Sequence, residues 1–134
     1  MSYNTILISG SYGTNNLGDT KILEGLTRLC REHYSPNEVI AASIEPGSTI
    51  EKTSVDRAIP TIERDMSSWI SVVRDVDLII LGGGSVVNHP VFSRRHSFVV
   101  AIATLLNIDV YVIAGVAGED SPERKLSKHY LELT

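Results

Sequence analysis

Three glycine-bearing stretches hold the residue types from which a binding site could be built: residues 10–19 (GSYGTNNLGD), 82–90 (GGGSVVNHP) and 115–120 (GVAGED). Glycine permits tight turns and close approach of backbone to a ligand. The side chains between the glycines add a phenol ring (Tyr12), an amide (Asn16), a carboxylate (Asp19), a hydroxyl (Ser85) and an imidazole (His89). Asp19 can cap a helix or accept hydrogen bonds from substrate hydroxyls, and both roles stay open. His89 lies between Asn88 and Pro90. An imidazole titrates near neutral pH, which suits a base or proton donor in a cleft as well as a solvated loop. Tyr12 and Asn16 suit stacking on a sugar and hydrogen bonding to it, and Asn16 also tolerates a left-handed turn. Arg94, Arg95 and His96 form a short basic cluster, suited to an anionic ligand or to a solvated helix start. No cysteine, histidine or carboxylate grouping has metal-ligand spacing, so neither a metal nor a bound cofactor is expected.

Two nucleotide motifs can be tested on the first stretch. The dinucleotide fingerprint G-x-G-x-x-G fails, because the glycines are Gly10, Gly13 and Gly18. The phosphate-loop pattern fits from Gly13 to Gly18 and again at Thr20, but Asp19 stands where a lysine is needed. A carboxylate there repels phosphate. What remains is strand, loop and helix without phosphate chemistry at its centre.

The elements that must position these stretches follow from apolar patterning. Residues 5–9, 39–43, 77–81 and 109–114 are short, apolar and rich in β-branched types, and read as buried strands. A marginal strand over 58–62 is confined to an edge by Pro60. A helix is expected after the first glycine stretch, with Asp19 as its N-cap and Ile22, Leu23, Leu26, Leu29 and Cys30 on its inner face. Residues 45–54 read as a connection. A second helix is expected over 64–76, with Met66, Trp69, Ile70 and Val73 inward. A third, over 97–106, is apolar nearly all round and is expected to be buried. Ser121 and Pro122 suit the start of a last helix carrying Leu126, Tyr130 and Leu133. His33 and His129 sit on helices and suggest no metal pair. Continuous apolar strands alternating with helices predict an α/β fold, Rossmann-like and doubly wound, with a mainly parallel sheet. In such sheets ligands bind beyond the carboxyl ends of the strands, where all three glycine stretches lie.

The chain has 134 residues, enough for one domain, with 43% hydrophobic and 21% charged residues, so it can support a core. A formal charge of −4 argues against a duplex nucleic-acid partner. Its one cysteine, Cys30, excludes an intramolecular disulfide and fits a reducing, cytoplasmic setting. No apolar run reaches the roughly 18 residues of a membrane span.

The first stretch, Gly10-Ser-Tyr12-Gly13-x-x-Asn16-Leu17-Gly18-Asp19-x-x-Ile22-Leu23, resembles the opening motif of the polysaccharide pyruvyl transferase family. Asp77-Leu-Ile-Ile-Leu-Gly82-Gly83-Gly84-Ser85 resembles its second motif, in matching order and separation. The resemblance covers the chain, residues 1–134, as a single Rossmann-like N-terminal domain. It implies a glycosyltransferase-B-like architecture whose second domain is absent from this chain. It implies transfer of pyruvyl from phosphoenolpyruvate to two hydroxyls of a sugar or lipid-linked glycan, giving a cyclic ketal. This domain would hold the acceptor, through Gly10, Tyr12, Gly13, Asn16, Gly18, Gly83, Gly84 and Ser85. Asp19 and His89 would carry the acid–base work. The sequence departs from the family pattern at Thr20 and His89, where acidic residues are common, and at Gly115-Val-Ala117-Gly118, where Gly-Ile-Gly-Pro is usual. The alternative is a non-catalytic Rossmann-like binding or oligomerisation module.

Overall fold

The computed structural model describes residues 3–12, 17–82 and 90–113, with side chains described for 3–10, 20–82 and 97–112. The elements are β1 (Thr5–Tyr12), α1 (Leu17–Tyr34), β2 (Glu38–Ser43), α2 (Pro46–Lys52), β3 (Arg57–Pro60), α3 (Met66–Val73), β4 (Leu78–Gly82), α4 (Pro90–Leu105) and β5 (Asp109–Ile113). The strands form one all-parallel sheet in the order β3-β2-β1-β4-β5. The chain winds outward from β1 to β3, then crosses back to the other side of β1 for β4 and β5. This is a Rossmann-like, doubly wound α/β arrangement.

Alternation along each strand sorts the core into two layers. Ile6, Ile8, Val39, Ala41, Leu78 and Ile80 face α1, where they meet Leu23, Leu26 and Cys30. Leu7, Ile40, Ala42, Ile79, Leu81, Val110 and Val112 face the other way, onto Trp69 and Val73 of α3 and Val99 and Ala103 of α4. The register agrees: Ile6 pairs with Leu78, Leu7 with Ile79 and Ile8 with Ile80. Ser43 continues the α1-facing series of β2, and its hydroxyl bonds Thr49 of α2 at 2.6 Å. So α1 and α2 share one face, while α3 and α4 share the other. Right-handed crossovers demand this division when the winding direction reverses after β3.

The strand starts are tied by carboxylates. Asp77, just before β4, accepts the backbone N–H groups of Asn4 and Thr5 at 2.9 and 3.0 Å. Its own N–H donates to the Thr5 carbonyl. Asp56, just before β3, accepts the Val39 N–H at 2.8 Å and pairs with Arg31 at 3.3 Å. Helix ends are equally specific. Asp65 caps α3 by accepting the Ser68 N–H and hydroxyl, which hold its carboxyl below the usual carboxylate range. Asn107 takes a left-handed φ of 59° and closes α4. The Asn107 and Ile108 N–H groups then donate to the Thr104 and Ala103 carbonyls.

Several expectations need correction. Asp19 is not the N-cap of the first helix: α1 begins at Leu17, so Asp19 is its third residue. A carboxylate there still favours the positive end of the helix. Gly10 and Tyr12 belong to β1 rather than to a loop. Residues 45–54 are not merely a connection, because Pro46 starts the short helix α2. Leu29 and Met66 are 58% and 49% exposed, not inward-facing. α4 is not buried all round: Val99 and Ala103 face the sheet, while Phe98 and Leu105 are 56% and 84% exposed. The sheet can cover only one side of a helix in a two-layer packing. Pro60 does end an edge strand, as expected. The helix expected from Ser121 lies outside the described residues.

Candidate functional site

The reversal of winding falls between β1 and β4, which pair from Ile6–Leu78 to Ser9–Leu81. At such a point the connections leave neighbouring strands in opposite directions, and a crevice opens beyond their carboxyl ends. The first two glycine stretches are attached there. β1 ends at Tyr12 and α1 starts at Leu17, while β4 ends at Gly82 and α4 starts at Pro90. The third stretch follows β5, whose Ile113 pairs with Gly82. The structure thus brings together the three strand ends from which the glycine stretches depart.

The individual residues stand as follows. Gly10 is buried in β1, and Tyr12 is the last residue of that strand. Gly18 and Asp19 lie in the first turn of α1. Gly13, Asn16, Gly83, Gly84, Ser85 and His89 lie outside the described residues, as does the 115–120 stretch. Arg94, Arg95 and His96 belong to α4. Trp69 and Cys30 are core residues, 0% and 2% exposed. Burial pushes the Cys30 thiol up to about 11, so it is protonated at neutral pH.

β1 does not end regularly. Ser9 pairs with Ala42 and Tyr12 with Ser43, so β1 spends Gly10 and Ser11 on a stretch where β2 has none. Such irregularities bend a strand and re-aim the residues beyond the bend. Tyr12 is thereby laid beside the last residue of β2. Two neighbouring turns at the same edge are fixed by side chains. The Ser43 hydroxyl, already bonded to Thr49, accepts the Glu45 N–H at 3.1 Å. Arg64, before α3, donates to the Ile44 carbonyl at 2.7 Å. The buried Thr61 accepts the N–H groups of Arg64 and Asp65 through its carbonyl. Residue type and spacing do not single out Ser43, Glu45, Thr49 or Arg64 in the sequence. Their only signal there is position, just past strands whose carboxyl ends are expected to face the site.

A separate apolar groove of about 220 Å³ lies on the α1 face, lined by Leu26, Leu29, Cys30, His33, Tyr34, Ile80 and Tyr111. It sits toward the opposite edge, where the Tyr3 hydroxyl donates to Asp109 at 2.8 Å and lies 3.2 Å from that of Tyr111. Burial and these contacts push the Tyr3 phenol well above its ordinary range. The groove is therefore distinct from the glycine-bearing edge.

No group of three or more histidine, cysteine or carboxylate side chains fit to hold a metal ion occurs among the described residues. None of the helices among them is long and apolar enough to cross a membrane. No protein-family model, curated protein or solved structure matches the chain.

Proposed function

We propose that this chain is the acceptor-binding domain of a pyruvyl transferase resembling the polysaccharide pyruvyl transferase family. One observation carries the reading. The two motifs on which the resemblance rests are attached to β1 and β4, the adjacent strands at the reversal of winding. The reaction joins two sugar hydroxyls to C2 of phosphoenolpyruvate. A general acid protonates the terminal methylene, C2 becomes electrophilic and the first hydroxyl oxygen adds with loss of its proton; the bond from C2 to the phosphate oxygen then breaks, phosphate departs, and the second hydroxyl oxygen adds in its place with loss of its proton. In this reading Asp19 accepts hydrogen bonds from acceptor hydroxyls, and His89 moves a proton. Gly10, Gly13, Gly18, Gly83 and Gly84 allow close approach of the backbone, with Tyr12, Asn16 and Ser85 contacting the sugar. A second domain supplies the cations that an anionic donor needs. The acceptor is a sugar or lipid-linked glycan, no bound cofactor takes part, and the setting is cytoplasmic.

Ligand-observed NMR with nucleotide-linked sugars and phosphoenolpyruvate tests the reading. The expected result is sugar binding by the wild-type chain, weakened at least about tenfold in Asp19→Ala, the loss of one charge-assisted hydrogen bond. Absence of sugar binding, or identical spectra for the variant, counts against it.

A second reading has its own observation. The outer face of α4 exposes Phe98, Leu105 and the following Leu106. Phe98 and Leu105 are seven residues apart, so they share one side of the helix, and large exposed apolar side chains gathered on one side of an element suit an interaction site. Under this reading the chain is a non-catalytic module that self-associates through α4. Light scattering is expected to show a dimer that Leu105→Lys converts to monomer. A wild-type monomer at high concentration removes the basis for this reading.

A further inference from the structure

We infer that the apolar groove on the α1 face binds the trimethylammonium group of a small free compound, at a site separate from the glycine-bearing edge. Three aromatic rings line the groove, those of His33 and Tyr34 at the end of α1 and of Tyr111 on β5, with Leu26, Leu29 and Ile80 beside them. The rings stand almost at right angles. His33 and Tyr34 lie 5.3 Å apart between centroids, at 83°. The buried ring of Tyr3 meets Tyr34 at 76° and Tyr111 at 86°. Rings set edge to face form a corner and not a flat stack, and cages of aromatic rings hold quaternary ammonium ions.

The charge beside the rings has the matching sign. Asp109 and Tyr111 are two residues apart on β5, so their side chains leave the same face of the sheet. The one hydroxyl hydrogen of Tyr3 goes to the Asp109 carboxylate at 2.8 Å, so across the 3.2 Å to Tyr111 it is the Tyr111 hydroxyl that donates. A hydrogen-bond chain thus runs from the groove lining to an exposed carboxylate, and it polarises both phenol rings toward negative charge. That strengthens their attraction for a cation, and the same chain fixes the Tyr111 ring before a ligand arrives. The apolar lining decides which cation fits. A primary ammonium carries three N–H donors, which an apolar groove strips of water and leaves unpaired. A trimethylammonium group carries none and presents methyl groups to the leucine and isoleucine side chains. At about 220 Å³ the groove is smaller than the roughly 300–1,000 Å³ of pockets that take drug-sized molecules, so it suits a head group.

The probes are choline, its uncharged isostere 3,3-dimethylbutan-1-ol, and ethanolamine, titrated into the chain and followed by NMR. Of the described lining residues only His33 can carry positive charge, and work at about pH 8 keeps imidazoles neutral. Choline is expected to bind at least about tenfold tighter than either analogue. Tyr111→Leu, which keeps an apolar lining without the ring, is expected to weaken choline about tenfold and the isostere by less than about twofold. Tyr34→Leu removes a second ring, with the same expected result should Tyr111→Leu fail to fold. Asp109→Asn still accepts from Tyr3 and is expected to cut the preference for choline about threefold. Amide spectra verify the fold of each variant. Equal binding of choline and its isostere, an unchanged preference in the folded ring variants, or no binding of choline overturns the inference. Cosedimentation with phosphatidylcholine vesicles by a chain that does not bind choline moves the ligand to a membrane surface and overturns it as well.

Discussion

Trp69→Ala is expected to lower the unfolding free energy by about 3–5 kcal/mol, the range for emptying a large aromatic site in a core. Trp69 is fully buried in the layer between the sheet and α3–α4, beside Val73, Val99 and Ile79. A domain of this size has roughly 5–15 kcal/mol in total, so the variant is close to unfolding. Trp69→Phe separates volume from polarity. Among the described residues, the indole N–H of Trp69 is a buried donor with no partner. Such a donor costs roughly 1–3 kcal/mol, and phenylalanine removes it while keeping most of the ring. The cost of Trp69→Phe is therefore expected to be less than about half that of Trp69→Ala. Urea unfolding followed by circular dichroism measures both, since Trp69 is the single tryptophan and its fluorescence is lost in each variant. Equal losses would mean that the N–H is satisfied in solution.

The second large effect is expected at Leu7→Ala, at about 2–5 kcal/mol. Leu7 is fully buried on the central strand, flanked in register by Ile40 and Ile79. No neighbour on a strand paired on both sides can move far enough to fill the gap. Leu7→Met, which keeps the volume, is expected to cost less than about 1.5 kcal/mol. Leu23 belongs to the other layer, on the inner face of α1. Leu23→Ala and Leu7→Ala are then expected to add to within about 0.5 kcal/mol, because the two share no partners. A coupling well beyond that value would show that the sheet transmits strain between its faces.

The strands are legible in the sequence because burial on both sides leaves little room for polar residues: 77–81 and 109–114 could hardly be anything else. Pro60 likewise gives away its edge. What escapes the sequence is mostly decided by packing between elements. The apolar run over 97–106 has no polar face, so it reads as buried, yet within it only Val99 and Ala103 are fully buried, with Val100 and Ile102 partly so. Leu29 fits the periodicity of α1 but stays 58% exposed, because it lines an open groove with Ile80 and Tyr111 instead of packing into the core. α2 is hidden because a seven-residue helix has scarcely any periodicity, and proline, glycine, serine and threonine imitate a turn. At the site, glycine and side-chain chemistry advertise the first two stretches. Ser43 is an ordinary residue until the register of β1 against β2 sets it beside Tyr12.

The carboxylate of Asp77 has a consequence for the order in which the chain can assemble. β1, β2 and β3 with their two helices are complete once Pro60 has been made, and each β-α-β step is local. The other edge of β1 finds its partner only in β4, and the N–H groups of Asn4 and Thr5 find their acceptor only in Asp77. Until then, during synthesis, the most central strand of the finished sheet is an open edge with apolar residues on both sides. That is the kind of surface on which nascent chains misassociate. Assembly of the domain thus hinges on a late insertion beside its first strand, and the same event brings together the strand ends from which the two glycine stretches depart.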